Sequence, residues 1–370
     1  MMIAKRPATI RLSRFGAATP HHTSAESMFS AWRSGQYPVP VPTPEPGIHL
    51  WNTLTTQAII AALPPPEERH DCGLILATAK GDMEPVETWL DLDGQNQQPP
   101  FPPLLSDSLQ TLADQFGLAG PKMVVSTACS SGLTALIEAA MMVQMGEARQ
   151  MIVCAADIAG GFIQDGFQSL KAITPSRCRP FDRRRAGLTL GSAAAACLVE
   201  AVDDAAPGFH GPRVILEGWG LSSDATHLTA PDRNAFGLIR AIRQSLANIE
   251  TGAIDAVMLH GTGTAYNDAM EALAMQTIFP HRPYITAAKG FLGHTLGASG
   301  VIETALAAWI LHHHTVPAIT GLEEPQWPEL NFVHGRAQTA PLRRILKTAS
   351  GFGGLNAAIV LKREGPMEAL

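Results

Sequence analysis

The chain has 370 residues, 46% hydrophobic and 16% charged, which suits two related halves with substantial cores and excludes a disordered chain. Its net charge of −6 gives no general reason to expect nucleic acid. The amino terminus lacks the apolar run of a signal peptide, and VIETALAAWIL, the longest apolar stretch, carries Glu303 and is too short to span a bilayer. Five cysteines (Cys72, Cys129, Cys154, Cys178, Cys197) show no CxxC spacing, so neither a disulfide framework nor a zinc site is expected, and the expected compartment is the cytoplasm.

Along the chain, GLILATA (73–79) and MVVSTA (123–128) read as buried strands. The second runs into VVSTACSSGLTALIEAAMM (124–142), where an apolar helix opens at Cys129 and ends near Gly146. MIVCAAD (151–157) is a third strand, and SAAAACLVEA (192–201) and RVILEGWG (213–220) predict an adjacent strand pair. A helix follows from about Asn234 to Leu246, then a strand, DAVMLHG (255–261), running into a loop. VIETALAAWILHH predicts a helix, and RILKTASG with AAIVLKR a closing strand pair. The alternation implies a largely parallel sheet with both faces covered. VPVPTPEPG (40–48) and PPFPPLLS (99–106) read as surface loops or linkers. There is no short tandem repeat, but both halves carry a strand-to-loop junction with a reactive residue type.

Cys129 is the first such residue. A cysteine that opens a helix faces first-turn amides and the positive end of the helix dipole, which favour thiolate over the free pKa of about 8.5. The same amides can hold an oxyanion. A lone cysteine is otherwise a small buried hydrophobe, the reading kept for Cys72, Cys154 and Cys197. HGTGT (260–264) places His260 at a strand end, KGFLGHTLGASG (289–300) places His294 between glycines five residues after Lys289, and GFGGLN (351–356) surrounds Phe352 with glycine.

Together these motifs resemble those of the β-ketoacyl-acyl-carrier-protein synthases, along with GFQSLKAIT (166–174), CRPFDRRRAG (178–187) and SDATHLTAPD (223–232). The resemblance spans roughly residues 70 to 363. It implies a thiolase-like α/β fold of five layers, α-β-α-β-α. The expected halves are residues 1–205, with the nucleophile, and 206–370, with both histidines. It also implies a dimer, either of identical chains or with a second synthase-like subunit, and an acyl carrier protein as partner.

The same resemblance assigns roles. Cys129 matches the nucleophile that accepts an acyl group. His260 and His294 match the pair that assists decarboxylation of a malonyl extender as neutral imidazoles, and Lys289, supported by Glu303, matches the lysine that orients them. The Cys129 and Phe352 amides match an oxyanion hole, and Phe352 matches a gate between Gly351 and Gly353. Thr262 and Thr264 match contacts to the carrier's phosphopantetheine arm, with Thr229 at the same entrance. No cofactor or metal of the protein's own is implied. Two histidines in these loops favour the elongating type of condensation.

The chain also departs from the family pattern. Its first segment, IRLSRFGAATP, lacks a glycine-rich pattern, Ser192 in GSAAA (191–195) replaces a glutamate, and Ser350 replaces a phenylalanine. These departures and a short segment before Cys129 motivate an alternative function, a synthase-like partner subunit with little activity alone. A third function is acyl transfer or decarboxylation without condensation. The basic cluster Arg177, Arg179, Arg183, Arg184 and Arg185 reads either as a carrier-docking patch or as a solvated loop paired with Asp182. His312, His313 and His314 point about 100° apart on a helix and cannot converge on one ion. Met141, Met142 and Met145 read as core or pocket lining.

Overall fold

Period-two patterning on both faces organises the molecule. In a computed structural model, residues 8–36, 49–91, 101, 104–202 and 211–365 are described. The first half runs β1 (Ile10–Ala18), α1 (Ala25–Arg33), α2 (Leu50–Ala62), β2 (Cys72–Ala77), α3 (Glu84–Asp91), α4 (Leu105–Phe116), β3 (Lys122–Val125), α5 (Ser131–Met145), β4 (Gln150–Asp157), α6 (Gly161–Ser169) and β5 (Ala193–Ala201). The second runs β6 (Val214–Ser223), α7 (Phe236–Ser245), β7 (Ala256–Met258), α8 (Ala265–Ile278), β8 (Tyr284–Thr286), α9 (Lys289–Leu292), α10 (Ser299–His313), a small ribbon of β9 (Thr315–Val316) and β10 (Gln338–Thr339), then β11 (Arg344–Gly351) and β12 (Leu355–Arg363).

The main sheet has the order β3-β2-β4-β5-β1-β6-β12-β11-β7-β8. Ribbon aside, each group of five strands follows one plan: its third, second and fourth strands are parallel, and its fifth and first are antiparallel. The expected largely parallel sheet is therefore mixed, because each unit ends with strands that reverse direction. The expected β5–β6 adjacency also fails, since β1 lies between them with Ile10 opposite both Ala201 and Leu216. The polar residues of IRLSRFGAA hid this strand. Arg11 Nε lies 2.9 Å from Glu364 Oε2, and Ser13 Oγ donates to Glu200 Oε1 at 2.9 Å, so the polar groups of a central strand are satisfied.

Alternate residues feed different cores. Ile75, Ala77, Met151, Val153, Ala155, Ala357, Ile359 and Leu361 face a central cluster with α5 and α10. Their neighbours Leu74, Leu76, Ile152, Cys154 and Ala156 pack under α2 and α4, while Ala358 and Val360 pack under α7 and α8. These are the five expected layers, and each fully buried Leu or Ile contributes about 1.5–3 kcal/mol. Residues 128–145 are apolar enough to cross a membrane by composition, but α5 is mostly buried here, between the two half-sheets. Glycine lets α5 and α10 meet: a Cβ on Gly300 would stand 2.1 Å from Leu133 N, and one on Gly132 2.7 Å from Gly297 O.

The stretch 40–48 lies outside the described residues, as do 99–100 and 102–103 of the second Pro-rich stretch, whose Leu105 and Ser106 open α4 instead of a loop. Met141 and Met142 pack on the central core, whereas Met145, expected as core or pocket lining, is 61% exposed. His313 joins a cluster of near-parallel rings with Phe29 and Trp309, and His314 closes α10 in a left-handed conformation.

Candidate active site

The turn that carries Cys129 is built by backbone. After β3 the chain turns at Ala128, a non-glycine residue at φ 51°, and Ser131 locks the turn by accepting from Thr127 N at 2.9 Å and donating to Ala128 O at 2.6 Å. The helix begins at Ser131, not at Cys129, because this turn must finish first. Gly351, where β11 ends, lies against the turn: a Cβ there would be 3.0 Å from Thr127 O and 3.3 Å from Cys129 N. The amides of Phe352 and Cys129 both face the Cys129 sulfur, so the two expected oxyanion donors converge on it.

The expected thiolate is not the resting state. Burial pushes the Cys129 thiol up to about 12, outweighing the pull of Lys289 and of the two amides. The helix-dipole expectation left out this cost of burial.

The histidines are held by charge. His260 follows β7, and Lys289 at the start of α9 reaches its Nδ1 at 3.1 Å, its carbonyl at 2.7 Å and Glu303 Oε1 at 2.7 Å. An ammonium only donates, so Nδ1 of His260 accepts and Nε2 carries the proton. His294 reaches the same tautomer by another route, because the Leu296 amide donates to its Nδ1 at 3.2 Å. The rings are 5.2 Å apart and nearly perpendicular. Burial first, then the charge of Lys289, lowers both imidazoles well below their ordinary range, so both stay neutral with a free Nε2–H.

Four buried polar residues complete the site, and sequence reasoning missed them. Asp157, at the end of β4, accepts from Thr78 Oγ1 at 2.9 Å, Ala79 N at 2.8 Å and Gly297 N at 2.7 Å, tying the His294 loop to the first half. Burial raises its carboxyl to about 6. Glu271 on α8 accepts from the amides of His260 and Gly261, both at 2.7 Å. Asp268 accepts from Gly263 N at 3.1 Å in the same loop. Lys347 on β11 lies 2.8 Å from Glu303 Oε2. The available signal was a lone charged residue inside an apolar segment, such as the lysine of ILKTAS.

Thr262 and Thr264 share a hydrogen bond at 2.9 Å, and Thr262 is buried. Phe352 stacks on Phe167 of α6 with centroids 5.7 Å apart. Gly353 (φ 83°) makes the hairpin turn beside it, while Gly351 serves close approach. Thr229 is exposed, and its loop touches the Phe352 hairpin through the Gly353 amide, which donates to Leu228 O at 2.7 Å. Ser192 Oγ accepts from Ala159 N at 3.0 Å. Within the basic cluster, Arg179 meets Glu323 at 3.2 Å, Arg184 meets Asp182 at 3.4 Å, and Arg185 lies 5.0 Å from the Trp327 ring centre. Arg184 makes the expected pair with Asp182, whereas Arg179 and Arg185 find their partners on Glu323 and Trp327. His49, Asp82 and Glu84 gather as potential metal ligands, but Glu84 caps α2 by accepting from Leu50 and Trp51, and Asp82 accepts from Glu84 N.

The architecture defines a thiolase-like α/β protein. The profile of the β-ketoacyl synthase N-terminal domain matches residues 44–205, and that of the C-terminal domain residues 214–323. A 3-oxoacyl-[acyl-carrier-protein] synthase 2 of Coxiella burnetii is 32% identical over 262 residues, 67% of this chain but only 63% of the relative. A putative polyketide β-ketoacyl synthase 1 of Streptomyces halstedii is 32% identical over 322 residues, 80% of this chain and 76% of the relative. The solved ishigamide ketosynthase/chain length factor superposes with a TM-score of 0.86 at 25% identity, covering 97% of this chain and 100% of that one. The chain belongs to the β-ketoacyl synthase family.

Proposed function

We propose that this chain joins an acyl group held on Cys129 to a malonyl group held on an acyl carrier protein, with loss of carbon dioxide, giving a β-ketoacyl carrier product. In the first step the Cys129 sulfur attacks the carrier thioester and the carrier thiolate leaves, taking up the proton that Cys129 gives up. In the second, the malonyl carboxylate departs as carbon dioxide and its electron pair forms an enolate, whose oxygen accepts from the Nε2–H groups of His260 and His294. The enolate carbon then attacks the acyl carbonyl, whose developing oxyanion accepts from the Cys129 and Phe352 amides. Collapse expels the Cys129 thiolate, which is reprotonated.

The observation that carries this reading is the pair of neutral imidazoles, each with Nδ1 engaged and Nε2–H free. Such donors are worth about 3 kcal/mol apiece at a developing oxyanion. The chain needs no cofactor of its own in this scheme, since the carrier brings a phosphopantetheine arm past Thr262 and Thr264. A cytoplasmic location fits the five free, buried cysteines.

A second reading makes the chain one subunit of a synthase heterodimer, acting mainly to shape its partner's pocket. It is favoured by the ketosynthase/chain length factor pair among the structural neighbours. Intact-protein mass spectrometry after mixing with acyl-loaded carrier separates the two. A mass gain lost in Cys129→Ala supports condensation here. Full activity of a two-chain complex carrying Cys129→Ala assigns the chemistry to the partner.

A further inference from the structure

Lys347 has no role in the scheme above, yet it is fully buried beside the machinery that does. A lysine ammonium is strongly hydrated, and stripping it of water is costly unless charges and acceptors replace the water. The replacements are specific. Glu303 Oε2 lies 2.8 Å from its Nζ, and the Thr348 carbonyl accepts from it. The other oxygen of Glu303 takes Lys289 at 2.7 Å, so one carboxylate is shared by two ammonium groups. A second carboxylate offsets the surplus. Glu271 accepts from His260 N, Gly261 N, Asn267 Nδ2 and Thr348 Oγ1; burial raises its carboxyl, and these four donors, with no acceptor opposite, work against that rise and favour the anion.

We propose that Lys347 is a positioning residue for the histidine pair: with Lys289, Glu303 and Glu271 it closes a buried, charge-balanced quartet that keeps His260 and His294 uncharged. The inference rests on the condensing reading only for the use to which the neutral rings are put. Two ammonium groups and two carboxylates leave no net charge under the rings, so a proton on either imidazole would be an uncompensated buried cation. Removing Lys347 leaves one negative charge in excess and takes away a cation that holds protons off both imidazoles. Lys347 lowers the proton affinity of both rings, alongside burial and Lys289. The other ionisable groups packed around the rings are Cys129 at its turn, Asp157 at the end of β4, Cys178 beside Thr262, and Asp268 on α8. None of them makes an ion pair with Lys347 or Glu303 among the described residues.

The test is an NMR titration of 13C-labelled histidine rings in the full chain without substrate, with His260 and His294 assigned through His→Asn variants. In the parent, both rings should stay neutral from about pH 8 to about pH 5. In Lys347→Met, at least one midpoint should rise by about one pH unit or more. In Lys347→Met/Glu303→Gln, which restores balance with Lys289 against Glu271, the midpoint should return toward the parent. A parent ring that titrates near the ordinary imidazole value overturns the proposal, as do unmoved rings in a folded Lys347→Met protein. If the single variant does not fold, thermal melting decides: a folded double variant supports charge imbalance, and a double variant no more stable than the single overturns it. A merely structural lysine would change the melting temperature without moving the rings. The titration needs no turnover, so failure of the condensing reading appears separately, as the absence of acyl transfer by the parent at any pH.

Discussion

The two five-stranded units share one strand plan but prepare their reactive groups by opposite means. On the Cys129 side, the work is done by backbone: a left-handed alanine, a serine lock and two amides aimed at sulfur. On the histidine side it is done by charge: two buried lysines, two buried glutamates and tautomers set by the donors they accept. The difference matches the proposed chemistry. A thiol must be aimed and its oxyanion received, which fixed dipoles accomplish. An imidazole must be held neutral with a known N–H outward, which requires control of local charge. Repetition of a fold therefore does not imply repetition of the method by which it makes a site.

Breaking the charged side should cost most. Lys289→Met leaves Glu303 short of a partner and frees Nδ1 of His260, and the expected loss is about 3–5 kcal/mol of stability, read from denaturant unfolding. Removing a donor without disturbing the charges is a sharper cut. His260→Ala and His294→Ala should each slow carbon dioxide release from malonyl carrier by roughly 10²–10³-fold while Cys129 still acquires an acyl group. Equal losses in both steps would show that the two sides are not separate devices.

The link between them should be weaker. Asp157→Asn replaces a carboxylate that accepts three hydrogen bonds with an amide that must present N–H to one donor, for an expected cost of about 1–3 kcal/mol, read by thermal melting. On the backbone side, the resting thiol at about 12 makes Cys129 alkylation by iodoacetamide rise about tenfold per pH unit from pH 7 to 10 without a plateau. A plateau near pH 8 would mean that the amides outweigh burial. The smallest effect is expected for Gly353→Ala, whose left-handed backbone should cost about 1–2 kcal/mol in the same unfolding assay and leave the histidine tautomers intact.

The same contrast explains what the sequence disclosed. Backbone-built features leave local marks: HGTGT, GHTLGASG and GFGG are glycine patterns that only tight turns require, and His260, His294 and Phe352 were found through them, while Cys129 stood out at a strand-to-helix junction. The charge-built features leave almost none. Lys347, Glu271 and Asp157 are single letters within apolar segments, and their partners are distant in sequence: Glu303 is 44 residues before Lys347, and Gly297 is 140 after Asp157. Strand β1 was hidden similarly, since Arg11 and Ser13 are compatible with a central position only because Glu200 and Glu364 arrive from elsewhere. The pKa of Cys129 was misjudged because helix position is local, while burial is a property of the assembled molecule.

The placement of β1 has a consequence for synthesis. Strand β1 sits between strands that end at Ala201 and begin at Val214, so from Ala18 it must wait 183 further residues, 201 − 18, before either neighbour is complete. Until then its two unpaired edges are available to other chains, at the speed of translation and not of folding. The nascent chain should therefore depend on chaperones until β5 and β6 have emerged, and fragments ending before about residue 200 should be recovered as aggregates.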